Sequence, residues 1–173
     1  EGVGHGCIEP AHVFVGGEGG FRLGGLGLSC PASEVLLQTR LPASGGTRAY
    51  MSPEHTTRTT QRVSSLSDLY SLGIVLYEML TGKLPFGTPG AGHSEWVHHH
   101  IASEPLPPER VRHDVPAVVS AIVLRLLCKS PEQRYQSAEG VQADLRRCLS
   151  LITPDGQIEG FELYSLGHYP GVI

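Results

Sequence analysis

Cysteine and histidine are the residue types in this chain that could bind a metal ion or exchange electrons. The four cysteines, Cys7, Cys30, Cys128 and Cys148, are far apart, and no C-x-x-C pair is present. The sequence therefore indicates neither a zinc ribbon nor a redox dithiol. Three consecutive histidines occupy residues 98–100, but consecutive side chains on a helix point about 100° apart and cannot all face one ion. We expect these histidines to form a solvated helix surface.

The composition excludes several classes of function. At 173 residues the chain has room for one domain with a substantial core. Its 17 acidic and 13 basic residues are scattered and give a formal charge of −4, so we expect no nucleic-acid partner bound through a basic surface. No apolar run approaches the roughly twenty residues that span a membrane. Widely spaced cysteines suit a reducing compartment, and we expect a cytoplasmic protein.

The strongest structural pattern is a helix over residues 67–80. Its apolar side chains lie around the whole circumference, which is typical of a buried helix. Ser65 and Asp68 predict a capping box at its start, and Gly82 predicts its end. Gly73 lowers helix propensity, so we expect a close packing partner there. On pattern alone, this helix would fit the core of any α-rich domain.

Shorter elements surround this helix. Two β-type runs flank a glycine-rich reversal and predict a hairpin. Small and polar residues predict a surface loop over residues 28–46. Further helices are predicted from Ser94, Pro116 and Ser137, the last through about Leu151. The remaining residues, 153–173, are punctuated by Gly and Pro and predict an extended tail or linker.

The residues around the central helix make the pattern more specific. GTRAYMSPE is followed by SDLYSLGIVLYEMLTGKLPF within residues 46–86. This ordered set of motifs resembles the C-terminal lobe of eukaryotic-type protein kinases. The resemblance implies a mainly α, kinase-like C-terminal lobe over residues 1–152, with a short β-hairpin and about five helices. Because the family pattern is met part-way through, we expect a fragment in which the N-terminal lobe is absent.

Three further segments narrow the resemblance. They are SPEHTTRTTQRVSSLSDLYSLG, EWVHHHIASEPLPP and KSPEQRYQSAEGVQADLRRCL. These segments are similar to the kinase-like domain at the N-terminus of multidomain hybrid sensor histidine kinases of fungi and some bacteria. The resemblance covers residues 5–163. It implies two partners, the missing N-terminal lobe and the downstream signalling modules of the same chain in a phosphorelay.

The positions that carry catalysis in protein kinases hold other residue types here. The arginine that follows the catalytic-loop histidine is absent after His5, and the aspartate, lysine and asparagine positions hold Cys7, Glu9 and His12. Gly25 stands where the family has a magnesium-binding aspartate. Magnesium prefers hard oxygen ligands, so these replacements are poor. Glu9 also places negative charge where the phosphates would lie.

We therefore assign no catalytic, cofactor-binding or metal-binding residue, and we expect no cofactor in this chain. The resulting hypothesis is a catalytically degenerate domain, a pseudokinase with a regulatory or scaffold role in signal transduction. The alternative is a fragment of an active Ser/Thr kinase with atypical catalytic-loop residues, and only then would ATP and magnesium bind. A third interpretation is a truncated gene product without function.

The residues that hold the family's fold together are retained. Residues 52–54 resemble the Ala-Pro-Glu motif of the family, with Ser in place of Ala. The resemblance implies a buried ion pair between Glu54 and Arg134, since a planar guanidinium matches a carboxylate. It also implies that Asp68 accepts backbone N–H groups of the loop at His5. These three structural residues would keep the loop in place without catalysis.

Overall fold

The computed structural model describes residues 3–17, 19–25, 30–31, 48–56, 58–87, 90–154, 156–158, 160–161 and 163. Two small antiparallel sheets lie near the N-terminus. β1 (Val3–Gly4) pairs with β4 (Cys30–Pro31), and β2 (Val13–Val15) pairs with β3 (Phe21–Leu23). The second pair is the predicted hairpin. Of the surface loop predicted over residues 28–46, residues 28, 29 and 32–46 lie outside the described residues.

Five α-helices follow within the described ranges, as the sequence predicted. They are α1 (Ser65–Thr81), α2 (His93–Ala102), α3 (Pro108–Val111), α4 (Ala117–Leu126) and α5 (Ala138–Leu151). Short 3₁₀ turns occupy Pro10–His12, Pro53–Thr56 and Pro131–Gln133. The mainly α architecture with one hairpin is confirmed. Among the described helices, none combines the length and the apolar character needed to cross a bilayer.

The cap of α1 lies one residue before the predicted Ser65, and the helix begins at Ser65 and not at residue 67. Ser64 caps the helix by accepting a hydrogen bond from the Leu66 N–H at 3.2 Å. The Ser67 hydroxyl accepts in return from the Ser64 N–H at 3.1 Å, so a pair of serines forms the capping box. Asp68 does not cap the helix. At the other end, Gly82 adopts a φ of 70°, the left-handed conformation that closes helices.

Helix α1 lies between two hydrophobic clusters and contributes to both. On one side, Tyr70 and Ile74 join a cluster with Phe86 and Trp96. On the other, Leu69 packs among the buried residues of α4 and α5. A helix that buries both faces in this way needs the all-round apolar pattern seen in its sequence.

The predicted close partner of Gly73 is helix α4 with the residue that follows it. A Cβ atom at position 73 would lie 2.8 Å from the Leu126 side chain and 3.1 Å from that of Leu127. Such distances are shorter than a van der Waals contact, so a side chain at position 73 would keep the two helices apart. Glycine lowers the helix propensity of α1 but allows α1 and α4 to pack closely.

The prediction of a solvated histidine surface is wrong for His100. This side chain is fully buried, and its ring stacks on Trp96 with 5.8 Å between centroids. Its Nε2 lies 3.0 Å from the Arg48 carbonyl oxygen. His98 is exposed, as predicted. The difference arises because His100 stands four residues after Trp96, which places both on the core-facing side of α2.

Residues 153–173 were predicted to form an extended tail or linker, and the described part of this segment contacts the helices. Ile152 and Ile158 form an isolated antiparallel bridge. Ile158, Phe161 and Leu163 then pack against the cluster around α4 and α5, and the Arg147 guanidinium lies 4.9 Å from the centre of the Phe161 ring. These contacts bring Ile158, Phe161 and Leu163 back onto the domain. Residues 164–173 lie outside the described part.

The burial of His100 predicts a pH-dependent stability. Burial, opposed by the hydrogen bond to the Arg48 carbonyl and aided by the charge of Lys129, lowers the pKa of His100 from 6.5 to about 3. Between pH 6.5 and about pH 3, the unfolded chain binds a proton on His100 that the folded chain does not. Stability therefore falls as the pH falls below 6.5. We expect His100 to account for about 2 kcal/mol of the loss between pH 7 and pH 5.

Denaturant unfolding of wild type, His100→Gln and His98→Gln at the two pH values measures this contribution. We expect His100→Gln to lose less stability than wild type on acidification, because its side chain does not titrate. His98→Gln, on the exposed face of the same helix, should follow wild type. Parallel pH dependence in all three proteins would contradict the assignment.

Candidate functional site

The loop of residues 5–12 is the candidate site, and Asp68 fixes it to helix α1. The Asp68 carboxylate accepts a hydrogen bond from the His5 N–H at 2.6 Å and another from the Gly6 N–H at 2.8 Å. Asp68 lies in the first turn of α1, which is anchored in the core. The loop therefore takes its position from the central helix, and this is the contact that the resemblance implied for Asp68.

His5 connects the loop to the end of the hairpin. Its Nδ1 accepts a hydrogen bond from the Cys7 N–H at 3.3 Å, so Nε2 carries the ring proton. Nε2 lies 2.7 Å from the Gly24 carbonyl oxygen, to which it donates. With both nitrogens engaged and the side chain buried, His5 is held as a structural element of the loop.

Cys7, Glu9 and His12 come together in this loop. One potential ligand atom from each lies within 4.8 Å of the others. His12 Nδ1 is 2.9 Å from the Cys7 carbonyl oxygen and 3.7 Å from a Glu9 carboxylate oxygen. Burial raises the pKa of the Cys7 thiol, and the negative charges of Glu9 and Asp68 raise it further. The thiol is therefore neutral near pH 7 and a poor nucleophile.

Gly25 faces the same loop and supplies no ligand atom. A Cβ atom at this position would lie 2.7 Å from the His12 ring, so the imidazole occupies the space into which a side chain at position 25 would point. The backbone there has a φ of 80°, which side-chain-bearing residues rarely adopt. An aspartate at position 25 would thus require His12 to move.

Magnesium and ATP are the groups that the resemblance brings to this site, and the residues present do not fit them. Mg²⁺ takes octahedral oxygen ligands and is bound through carboxylates and phosphates. Cys7 offers sulfur, His12 offers nitrogen and Gly25 offers no side chain. Glu9 is a carboxylate, but it stands where the family pattern has a lysine to meet the phosphates. No phosphoryl-transfer step is supported by this donor set.

The buried ion pair between Glu54 and Arg134 joins distant parts of the chain. Arg134 NH2 donates to Glu54 Oε1 at 2.7 Å and NH1 donates to Oε2 at 3.2 Å. Both side chains are fully buried. The two hydrogen bonds run in parallel, the bidentate geometry that makes arginine–carboxylate pairs strong. The structure therefore contains the pair that the resemblance implied.

The remaining polar atoms of this pair are also bonded. The Ser67 hydroxyl donates to Glu54 Oε2 at 2.8 Å. Arg134 donates to three backbone carbonyls, those of Cys128 at 2.8 Å, Leu66 at 2.9 Å and Lys129 at 3.0 Å. The 3₁₀ turn at Pro53–Thr56, the start of α1 and the segment after α4 consequently meet at one guanidinium.

Sequence reasoning did not find the grouping of Cys7, Glu9 and His12. It compared each position separately with a family pattern, and the spacing of two and three residues in a loop carries no regular periodicity. The 3₁₀ turn at Pro10–His12 brings them together by turning His12 back toward Cys7. Pro10 at the start of that turn is the available sequence signal, because proline is pre-organised for the first helical position.

Comparison with known proteins gives consistent similarities. The family model described as protein kinase domain matches residues 1–145. The chain is 47% identical over 102 residues to hybrid signal transduction histidine kinase G of Dictyostelium discoideum, which covers 59% of this chain and 3% of that protein. It is 33% identical over 154 residues to serine/threonine-protein kinase PknB of Mycobacterium leprae, and 35% identical over 155 residues to PknB of Mycolicibacterium smegmatis. Each PknB match covers 89% of this chain and 24% of the relative.

The ion pair predicts a large loss of stability when its charge balance is broken. Glu54→Gln keeps the shape of the side chain but leaves the buried Arg134 charge without its partner. We expect the free energy of unfolding to fall by roughly 3–5 kcal/mol, measured by chemical denaturation. The matched control is Asp114→Asn, which removes the carboxylate of the exposed Arg112–Asp114 pair and should leave stability nearly unchanged. Equal effects of the two substitutions would contradict the assignment.

The same pair predicts a particular acid dependence. Burial raises the pKa of Glu54, but the hydrogen bonds and charge of Arg134, with the hydroxyls of Ser52 and Ser67, outweigh it and hold the pKa below its ordinary value of 4.5. The unfolded chain therefore takes up this proton first, and the stabilisation is lost as the pH falls through the folded pKa. Wild type and Glu54→Gln should converge in stability below pH 4.5. A constant difference across this range would be inconsistent with a charged, paired Glu54.

Proposed function

Because this chain belongs to the protein kinase domain family, we propose that it is a catalytically degenerate kinase-like domain with a regulatory or scaffold role in signal transduction. The observation that carries the proposal is the donor set of the loop. Cys7, His12 and Gly25 occupy the positions where the family pattern has its oxygen ligands. Without those ligands the domain lacks the means to position magnesium and the phosphates of ATP.

The preserved framework supports a role that depends on shape. Asp68 holds the degenerate loop in place, and Glu54 with Arg134 joins the turn before α1 to the segment after α4. A buried ion pair with all partners satisfied is costly to disrupt. Such a framework preserves a surface for partners without any requirement for catalysis.

The relatives support a setting in a larger signalling protein. The chain spans about a quarter of the PknB relatives and a still smaller part of the hybrid histidine kinase. By analogy with the latter, we place the domain in a phosphorelay protein, joined to further signalling modules. Among the cysteines whose side chains the structure describes, Cys7, Cys128 and Cys148 are free, which suits a reducing cytoplasm.

The hairpin supports an N-terminal lobe as a further partner. Phe14 and Val15 on β2, and Phe21 and Leu23 on β3, are exposed apolar side chains, with Val15 at 70% and Phe21 at 71%. Four such residues on one small sheet form a surface that favours a covering partner. Kinase domains place a second lobe against this end, and we propose that it covers the hairpin here.

A second candidate function is that of an active Ser/Thr kinase with atypical ligands. It is favoured by the PknB relatives, which match 84–89% of this chain at 33–35% identity. It requires a glycine-rich loop and a phosphate-binding lysine before residue 1. The upstream coding sequence separates the two candidates at little cost.

Phosphotransfer by the full-length parent tests the proposal. We expect no transfer from labelled ATP to protein substrates in the presence of magnesium, and no thermal stabilisation by the two together, because the oxygen ligands are missing. PknB of Mycobacterium leprae, assayed in parallel, shows that the conditions permit transfer. Robust ATP-dependent phosphorylation that is lost on changing Cys7 or His12 would overturn the proposal and favour the active kinase.

A further inference from the structure

A thiol, a carboxylate and an imidazole converge in the degenerate loop. One potential ligand atom each from Cys7, Glu9 and His12 lies within 4.8 Å of the others. Cys7 is buried and the other two side chains are only 13% and 25% exposed, so the cluster is partly shielded from water. We propose that Cys7, Glu9 and His12 bind a divalent transition-metal ion, with Zn²⁺ as the best match.

The chemistry of the three groups selects zinc over magnesium. Zn²⁺ accepts sulfur, nitrogen and oxygen ligands in tetrahedral geometry, whereas Mg²⁺ demands oxygen. In a tetrahedral zinc site the ligand atoms lie about 3.5 Å apart, so the present cluster needs to contract by about 1 Å. His12 Nδ1 and the Glu9 oxygen, at 3.7 Å, are already close to that spacing, and metal binding at Nδ1 would replace its hydrogen bond to the Cys7 carbonyl oxygen. Water would complete the fourth position, as in other zinc sites with three protein ligands.

The surroundings keep the three groups in place. Asp68 fixes the backbone just before Cys7 through the N–H groups of His5 and Gly6. Both of its carboxylate oxygens are used in this way, so Asp68 orients the loop without being a ligand. Gly25 leaves room for the His12 ring, since a Cβ atom there would lie 2.7 Å from it. The absence of a side chain at position 25 thus favours the imidazole position that a metal would use.

The charges around Cys7 also favour a cation. Glu9 and Asp68 both place negative charge near the Cys7 side chain. A dication between these groups would be attracted by the carboxylates and would stabilise the thiolate as a ligand. The site shares Cys7 and His12 with the loop on which the proposed function rests, but occupancy by the ion does not require nucleotide.

Cobalt substitution tests the proposal on the 173-residue chain, freed of metal with a chelator and checked for folding by circular dichroism. We expect one equivalent of Co²⁺ to bind and to give a thiolate-to-cobalt charge-transfer band with the intense visible bands of a tetrahedral site. One equivalent of Zn²⁺ should displace it. Absence of the charge-transfer band in the folded chain would overturn the proposal.

Substitutions locate the ion. We expect Cys7→Ser to abolish the charge-transfer band. We expect His12→Ala and Glu9→Gln each to weaken Zn²⁺ affinity by at least about tenfold, which is the smaller effect typical of losing a residue that only supports a metal ligand. Cys128→Ser and His98→Ala remove a thiol and an imidazole outside the loop and should bind as wild type does. Unchanged affinity in His12→Ala and Glu9→Gln, or a band that survives Cys7→Ser, would overturn the site. Should Cys7→Ser fail to fold, the other two variants decide.

Discussion

The buried bidentate pair between Glu54 and Arg134 is the interaction on which the rest of this domain depends. Its partners are 80 residues apart in the chain, and neither is exposed. The guanidinium also bonds the carbonyl of Leu66 near the start of α1 and those of Cys128 and Lys129 after α4. Because removing either charge would strand the other in the core, three separate segments are held in one arrangement by a single group.

That arrangement positions a loop whose chemistry has changed. Asp68 is positioned by α1 and accepts hydrogen bonds from the backbone N–H groups of His5 and Gly6. Because these bonds use only backbone groups, they do not depend on which side chains follow in the loop. Cys7, Glu9 and His12 could therefore replace oxygen ligands and a lysine without loss of the fold. Structural and catalytic demands act on different atoms of the same loop, so one set can be kept when the other is lost.

The elements with strong local patterns were predictable from the sequence. The all-round apolar pattern of α1, the glycine-rich hairpin and the cap at Ser137, whose hydroxyl accepts from the Gly140 N–H at 3.3 Å, all depend on neighbouring residues. The cap of α1 was placed one residue too late because Ser64 and Ser65 are equally good caps by type, and only the fold distinguishes them.

Features that depend on tertiary packing were not predictable in the same way. His100 is buried because Trp96 on the same face of α2 enters the core, and its place in a run of three histidines concealed this. The return of Ile158 and Phe161 onto the helices depends on a surface formed by distant residues. Cys7, Glu9 and His12 come together through the 3₁₀ turn at Pro10–His12. No periodicity in the sequence encodes where that turn places the imidazole ring relative to the thiol.

The central claim is that the family framework persists without its phosphate-binding metal ligands, and the magnesium dependence of ATP affinity tests it most directly. Calorimetric titration of ATP into the full-length parent, with and without Mg²⁺, isolates the contribution of those ligands. Our account predicts that magnesium does not strengthen any ATP binding that occurs. A magnesium-dependent gain in affinity that is lost on substitution of Cys7 or His12 would contradict it.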